Sequence, residues 1–159
     1  MLRSIASVFI FLILPFAALA QGAQVSFGGN QDTDAPIEVT ADSLAVNQKD
    51  GTAIYTGNVV IAQGDMRMAA QKVLVIYSET AKKIQRMEAT GGVTMVSGDE
   101  AAEAQRADYA LETGVVVMSG NVLLTQGASV LTSEKMTVNL DSGTAQLVGR
   151  VRTVLNQEE

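Results

Sequence analysis

The chain has 159 residues, 47% of them hydrophobic, and a formal net charge of −6, because 17 acidic side chains outnumber 11 basic ones. This charge argues against nucleic acid or an anionic membrane surface as the main partner. The absence of histidine and cysteine excludes Ser-His-Asp and Cys-His catalysis, thiol redox chemistry and the usual zinc and copper sites.

The first 20 residues have the pattern of a secretory signal peptide. Arg3 precedes an apolar run over residues 8–16, and Ala18-Leu19-Ala20 ends the segment with small residues two positions apart. This pattern predicts cleavage after Ala20 and export to the periplasm. The alternative is an uncleaved membrane anchor, although the run is shorter than the roughly 20 residues that span a bilayer.

The rest of the chain divides into three predicted parts. Residues 21–34 are rich in Gly, Asn, Gln and Asp, which predicts a flexible N-terminal arm. Residues 35–155 form a single predicted domain, since a chain of this length can bury a core of its own. Residues 156–159 are a polar tail.

An internal repeat organises the predicted domain. Residues 56–64, 90–98 and 119–127 share one pattern, in which a second glycine follows the leading glycine after seven positions. Residues 148–155 keep only the leading glycine. The leading glycines Gly57, Gly91, Gly120 and Gly149 define a repeat of 29 residues, with five more in the first copy, and such a period indicates stacked supersecondary units.

Within each repeat, hydrophobic and polar residues alternate, as in a strand with one buried face. A leading glycine that lies on the inward face permits the strand to bend, and the same glycine in every repeat would bend the whole sheet along one line. The residues predicted to face inward are Tyr55, Val59, Ile61, Val73, Val75, Tyr77, Val93, Met95, Tyr109, Leu111, Met118, Val122, Leu124, Met136, Val138, Leu140 and Leu147.

The predicted fold class is all-β, with short hairpin turns between the strands. A helix over residues 101–111 is possible locally because that segment contains good helix formers. The equivalent positions of the next repeat, residues 131–140, are strand-like, and this argues against the helix. A bent antiparallel sheet with one apolar face folds on itself as a jelly roll or a stacked solenoid.

The inward face indicates what the domain could bind. Six of the seven methionines lie within the repeats, where few aromatic residues are present, and methionine adapts to variable apolar partners. A trough for lipid chains is one interpretation, and an ordinary filled core is the other. Lys72, Arg106 and Lys135 recur on the opposite face and indicate a solvated surface. The repeats fix no acid–base pair, so the sequence predicts no catalytic residue, cofactor or metal site.

The two ends of the domain are predicted to be assembly edges. Residues 36–55 form a half-repeat at the front and residues 149–155 an incomplete one at the back, and together they resemble one split unit. Strand addition between such edges is heterologous and gives open head-to-tail oligomers. The residues assigned to these edges are Ile37, Val39, Leu44, Val151 and Val154.

Residues 33–46, residues 51–77 and the closing residues 149–155 resemble the OstA-like family. The resemblance implies a twisted β-jelly roll, open at both ends, that shields the lipid A acyl chains of lipopolysaccharide across the periplasm without catalysis. It implies three partners besides lipopolysaccharide: further copies of the chain, an inner-membrane anchored transport component and the N-terminal domain of an outer-membrane translocon. The alternatives are the anchored component itself and a structural β-repeat protein that binds no lipid.

Overall fold

The structure, a computed structural model, describes residues 22–29, 31–80 and 82–155, and within these ranges every regular element is a β-strand. The predicted signal peptide and polar tail lie outside the described residues. No helix of the described ranges is long and apolar enough to cross a membrane. The predicted all-β class is confirmed, and residues 101–110, for which a helix was the alternative, lie in a strand.

All strands belong to one antiparallel sheet in which β4 to β9 pair in sequence order. At one end β2 and β3 pair with successive parts of β4, and at the other β11 and β10 pair with successive parts of β9. The strands are β1 (Ala23–Ser26), β2 (Glu38–Thr40), β3 (Ser43–Asn47), β4 (Thr52–Gln63), β5 (Met66–Tyr77), β6 (Ile84–Ser97), β7 (Glu100–Ala110), β8 (Val115–Gln126), β9 (Ser129–Asn139), β10 (Thr144–Val148) and β11 (Arg152–Leu155).

The predicted line of bends is present as a row of β-bulges at the leading glycines. Between β4 and β5, Thr56 pairs with Lys72 and Val59 with Ala70, so two residues of β4 oppose one residue of β5. The same register shift occurs at the leading glycines of β6 and β8. A bulge of this kind bends its strand and increases the local twist, and a row of them folds the sheet along one line.

The bulges divide the sheet into two arms, whose buried residues form a single hydrophobic cluster. The two halves of the folded sheet therefore share one interior, as in the β-jelly roll that the resemblance implies. Arm A comprises residues 23–26, 43–56, 72–80, 82–90, 106–119 and 135–148, and arm B comprises residues 38–40, 59–70, 93–104, 122–133 and 151–155.

The bulges change the alternation of buried residues on every second strand. β4, β6 and β8 keep one inward phase through the bulge, as predicted. β5, β7 and β9 shift by one position, because one residue on each of them opposes two on the neighbouring strand. The predicted inward set therefore omits several buried residues of arm B, namely Met66, Met68, Ala102 and Leu131.

The structure differs from the predicted flexible arm over residues 21–34. β1 pairs with β10 along its whole length, and Phe27, directly after it, is fully buried. The physical reason is that β10 would otherwise present an open edge, which the N-terminal segment covers with backbone hydrogen bonds. The alternation of Val25 and Phe27 with polar neighbours was the available signal for a strand here.

The charged side chains of the repeats lie on the outer face, as predicted. Lys72, Arg106 and Lys135 are all exposed. Asp108 forms an ion pair with Arg86 at 2.6 Å and a longer one with Arg106 at 3.5 Å. Exposed pairs of this kind contribute about 0–1 kcal/mol to stability, so the fold depends on the interior.

A matched pair of glycines tests the bulge geometry. Gly91 and Gly92 have nearly equal φ values of 85° and 86°. An added Cβ at Gly91 would lie 2.8 Å from the Cβ of Gln71, whereas one at Gly92 meets no atom within 4 Å. Gly92→Ala should lower the free energy of unfolding by about 1–2 kcal/mol through backbone strain alone. Gly91→Ala should cost about 1–3 kcal/mol more, because it adds a steric clash.

Urea unfolding of the two variants measures both costs. Equal losses of stability would contradict the close approach at Gly91. The left-handed backbone conformation alone would then explain the cost of both substitutions.

Candidate functional site: the apolar interior and its closing segment

The structure places all 17 residues predicted to face inward in one interior. Fourteen of them are buried, and the remaining three, Tyr55, Tyr77 and Leu111, are half-buried and pack against the same cluster. Contact between these residues and a lipid remains a prediction.

The interior is uncharged and rich in methionine. Six methionines of arms A and B are at most 1% exposed: Met66, Met68, Met87, Met95, Met118 and Met136. Within the described residues, the buried side chains that can form hydrogen bonds are those of Gln63, Ser97, Tyr109 and Ser133. Flexible thioether side chains can rearrange around a guest molecule at little cost, so this core is suited to exchange its own contacts for those of an apolar ligand.

One buried hydrogen bond joins the two arms directly. The hydroxyl of Tyr109 in arm A donates to Oε1 of Gln63 in arm B at 2.6 Å. Burial raises the pKa of Tyr109 above its ordinary value, and the nearby charge of Asp141 raises it further. The phenol is therefore neutral at physiological pH and serves as a hydrogen-bond donor.

The hairpin turns of arm B carry a row of polar side chains that bind the N-terminal segment. We call residues 26–29 and 31–36 the strap. Gln63 donates through Nε2 to the carbonyl oxygens of Thr33 at 2.7 Å and Ala35 at 3.2 Å. The hydroxyl of Ser97 accepts a hydrogen bond from the side chain of Gln31.

The third hairpin of arm B continues this row. The side chain of Gln126 donates to the carbonyl oxygen of Ser26 and, at 2.7 Å, to Glu100. Glu100 in turn accepts a hydrogen bond from the backbone amide of Gly28. Every hairpin turn of arm B within the described residues thus holds the strap through at least one side chain.

The strap also contacts the turns of arm A. The amide of Phe27 donates to the carbonyl oxygen of Gly143 at 2.9 Å, and the hydroxyl of Thr33 donates to Asp141 at 2.7 Å. The strap therefore crosses the gap between the turns of arm A and those of arm B. We call this gap the seam.

A pocket of about 900 Å³ lies where the strap leaves part of the seam uncovered. Residues 33–37 line one side, and Ile84, Leu111 and Tyr109 line the other, with Lys83 also contributing. Because Tyr109 belongs to the buried cluster, the pocket reaches the apolar interior.

Sequence reasoning missed the three side chains that precede the second glycine of each repeat. Gln63, Ser97 and Gln126 directly precede the turn glycines, and each binds the strap. A signal for this role was present, because each follows an inward apolar residue by two positions and so shares its phase.

The predicted assembly edges are edges of the sheet in the structure. Among the described residues, β2 and β3 pair only with β4, and β11 pairs only with β9. Ile37 and Val39 are half-buried against the core, whereas Leu44, Val151 and Val154 are exposed. Five of the eight exposed large hydrophobic residues of the described chain lie in the predicted end segments, residues 36–55 and 149–155: Leu44, Val46, Val151, Val154 and Leu155.

Comparison with known proteins finds relatives that match most of this chain. A protein from Rhizobium meliloti (strain 1021) described as uncharacterized protein R00383 is 31% identical over 158 residues, covering 92% of this chain and 85% of that protein. The lipopolysaccharide export system protein LptA of Escherichia coli (strain K12) is 27% identical over 132 residues, covering 79% of this chain and 71% of LptA.

A solved structure shares the fold. The crystal structure of LptH, described as the LptA-homologous periplasmic component of the lipopolysaccharide transport device of Pseudomonas aeruginosa, superposes with a TM-score of 0.71 at 19% identity. The match covers 80% of this chain and 99% of LptH. The model of the LptA/(LptD N-terminal domain) LPS transport protein family matches residues 38–144, from β2 to the start of β10. Since this match spans most of the bent sheet, the chain belongs to that family.

Proposed function

We propose that this chain binds lipopolysaccharide in the periplasm and shields its lipid A acyl chains inside the bent sheet during transport to the outer membrane. The observation that carries the proposal is the methionine-rich, uncharged interior of a sheet that is open at both ends. Each methylene group moved from water into such an interior contributes about 0.8 kcal/mol. A fatty acyl chain supplies many methylene groups and needs no polar partner.

The proposed assembly is a head-to-tail bridge of several domains of the same fold. Five of the eight exposed large hydrophobic residues of the described chain lie at the two edges of the sheet, where unpaired backbone groups favour strand addition. The proposed partners are further copies of this chain, an inner-membrane anchored transport component and the N-terminal domain of an outer-membrane translocon. Their inclusion is supported by the description of the family, which groups LptA with the LptD N-terminal domain.

Photo-crosslinking tests the proposed ligand. A benzophenone side chain at Met118, which is buried, is compared with one at Lys135, which is exposed. In a Gram-negative host, ultraviolet light should attach lipopolysaccharide to position 118 and leave position 135 unmodified. Mass spectrometry of the gently purified wild-type chain should show the same glycolipid. The absence of glycolipid from both measurements would refute the function.

A structural protein without a ligand is the second candidate. The burial of the core favours it, because the largest core side chains are less than 2% exposed without a ligand. This candidate predicts a chain free of lipid in the experiment above.

The proposed periplasmic location has its own test. It rests on the signal-like residues 1–20 and on the similarity to LptH, which is described as a periplasmic component. N-terminal sequencing of protein from the cell envelope should find Gln21 first. Met1 retained in a membrane fraction would instead assign the chain to the anchored component of the same fold.

A further inference from the structure

The closed interior raises the question of where an acyl chain enters. β4 to β9 are joined by continuous pairing on both sides of the bulges, so entry between these strands would break many backbone hydrogen bonds. In the part of the chain that the structure describes, no ladder of strand pairing crosses the seam between the arms. The seam is spanned by the strap and by the hydrogen bond between Tyr109 and Gln63.

The middle of the strap is held by individual hydrogen bonds, which can break without loss of a β-ladder. Residues 28–29 and 31–36 of the strap form no strand. They are held by separate hydrogen bonds that Gln63 donates and that Ser97, Glu100 and Asp141 accept. Each of these bonds can be exchanged for a bond to water when the strap lifts. No pair within β4 to β9 has to break.

The two ends of the strap are anchored more firmly. At one end, β1 pairs with β10 and Phe27 is fully buried. At the other end, Ile37 packs on the core and β2 pairs with β4. The middle of the strap can therefore lift as a loop while both ends remain attached to the sheet.

The pocket beside the strap marks where entry would begin. Its wall of residues 33–37 belongs to the strap and the chain that follows it, and the opposite wall presents Ile84, Leu111 and Tyr109. An apolar chain seated there lies against both the strap and the buried cluster. Lys83 lines the same pocket together with Asp34 and Glu112, so the pocket carries charges of both signs.

We infer that the seam beneath the strap is the entry site for the fatty acyl chains of a phosphorylated glycolipid. The acyl chains first occupy the pocket beside Tyr109 and then lift the strap, beginning with its hydrogen bonds to Gln63. This inference rests on the proposed function and adds a lateral route to it. Acyl chains then enter from the side of the bent sheet, and the strap closes over them once they are inside.

A disulfide across the seam tests this route. A Cβ at Gly64 would lie 3.6 Å from the Cβ of Asp32, a separation that suits a disulfide. Gly64 has a φ of 53°, so a cysteine there carries backbone strain, and the folding of the variant is verified first by circular dichroism. The chain contains no cysteine of its own, so Asp32→Cys combined with Gly64→Cys introduces a single thiol pair that locks the strap to arm B.

The probe is lipid A with a pyrene-labelled acyl chain, and its uptake is followed by fluorescence with and without dithiothreitol. The oxidised variant should take up the probe more slowly than its reduced form by at least about tenfold, because closure gates access to the site. The control is Val60→Cys with Ala69→Cys, two exposed and opposite residues within arm B, which should take up the probe at the wild-type rate when oxidised.

Equal rates for the oxidised and reduced seam variant would overturn the lateral route. Failure of the wild-type chain to bind the probe at all would instead refute the proposed function. If the seam variant does not fold, Thr33→Val provides the second measurement, since it removes the hydrogen bond to Asp141 while preserving side-chain size. That variant should take up the probe faster than wild type, and an unchanged rate would overturn the inference.

Discussion

Met118→Asp should lower the free energy of unfolding by about 5 kcal/mol or more. Met118 is fully buried in the shared interior, where it pairs with Met136 on the neighbouring strand. Loss of a buried methionine side chain costs about 2–5 kcal/mol, and burial of an unpaired carboxylate adds several more. This total is comparable with the whole stability of a typical domain, about 5–15 kcal/mol. Chemical denaturation at neutral pH measures the loss.

Lys135→Asp is the matched control for this substitution. Lys135 lies next to Met136 on β9 and is exposed on the outer face, so an aspartate there should change stability by no more than about 0.5 kcal/mol. Val138→Asp, in the same interior, should behave like Met118→Asp. A folded Met118→Asp chain that retains glycolipid as well as wild type would show that this position does not line the binding interior.

Val154→Pro is expected to weaken head-to-tail association by at least about tenfold, since proline cannot donate to an added strand. Val154 pairs with Val130 of β9 on one side only, and β11 forms a free edge of the described sheet. Successive amides of such a strand point alternately toward β9 and outward. Thr153→Pro is therefore the companion variant, and one of the two removes an outward donor.

Light scattering over a range of protein concentrations measures this association. Wild type should form oligomers that grow with concentration, and the more affected proline variant should remain monomeric over the same range. Thermal unfolding should be nearly unchanged, because β11 contributes only four residues at one edge. Normal assembly by both proline variants, or a closed dimer at all concentrations, would rule out association through β11.

The repeat made much of the fold predictable from sequence. Gly57, Gly91 and Gly120 have positive φ values of 81–85°, a conformation that favours glycine over other residues. The position of the bend is therefore specified by the local sequence. The inward phase of β4, β6 and β8 followed from alternation. The phase shift of β5, β7 and β9 was not predictable, because it depends on the bulge of a neighbouring strand.

The closing segment was also beyond prediction from local pattern. β1 pairs with β10, more than 100 positions later in the chain, and no periodicity specifies such a partner. Gln63 and Ser97 are typical turn residues by composition. Their hydrogen bonds to the strap depend on how the two arms come together, which only the folded chain determines.

Because the bulge recurs in every repeat, the length of the interior is set by the number of repeats. Each repeat supplies one hairpin, one bulge on the fold line and one polar side chain at the turn of arm B. A hairpin widens a sheet by about 10 Å, two strand spacings, so duplication of one 29-residue unit would lengthen the container by that amount without altering its cross-section. Capacity for longer or more numerous guests is therefore open to evolution by tandem copying rather than by redesign of the core.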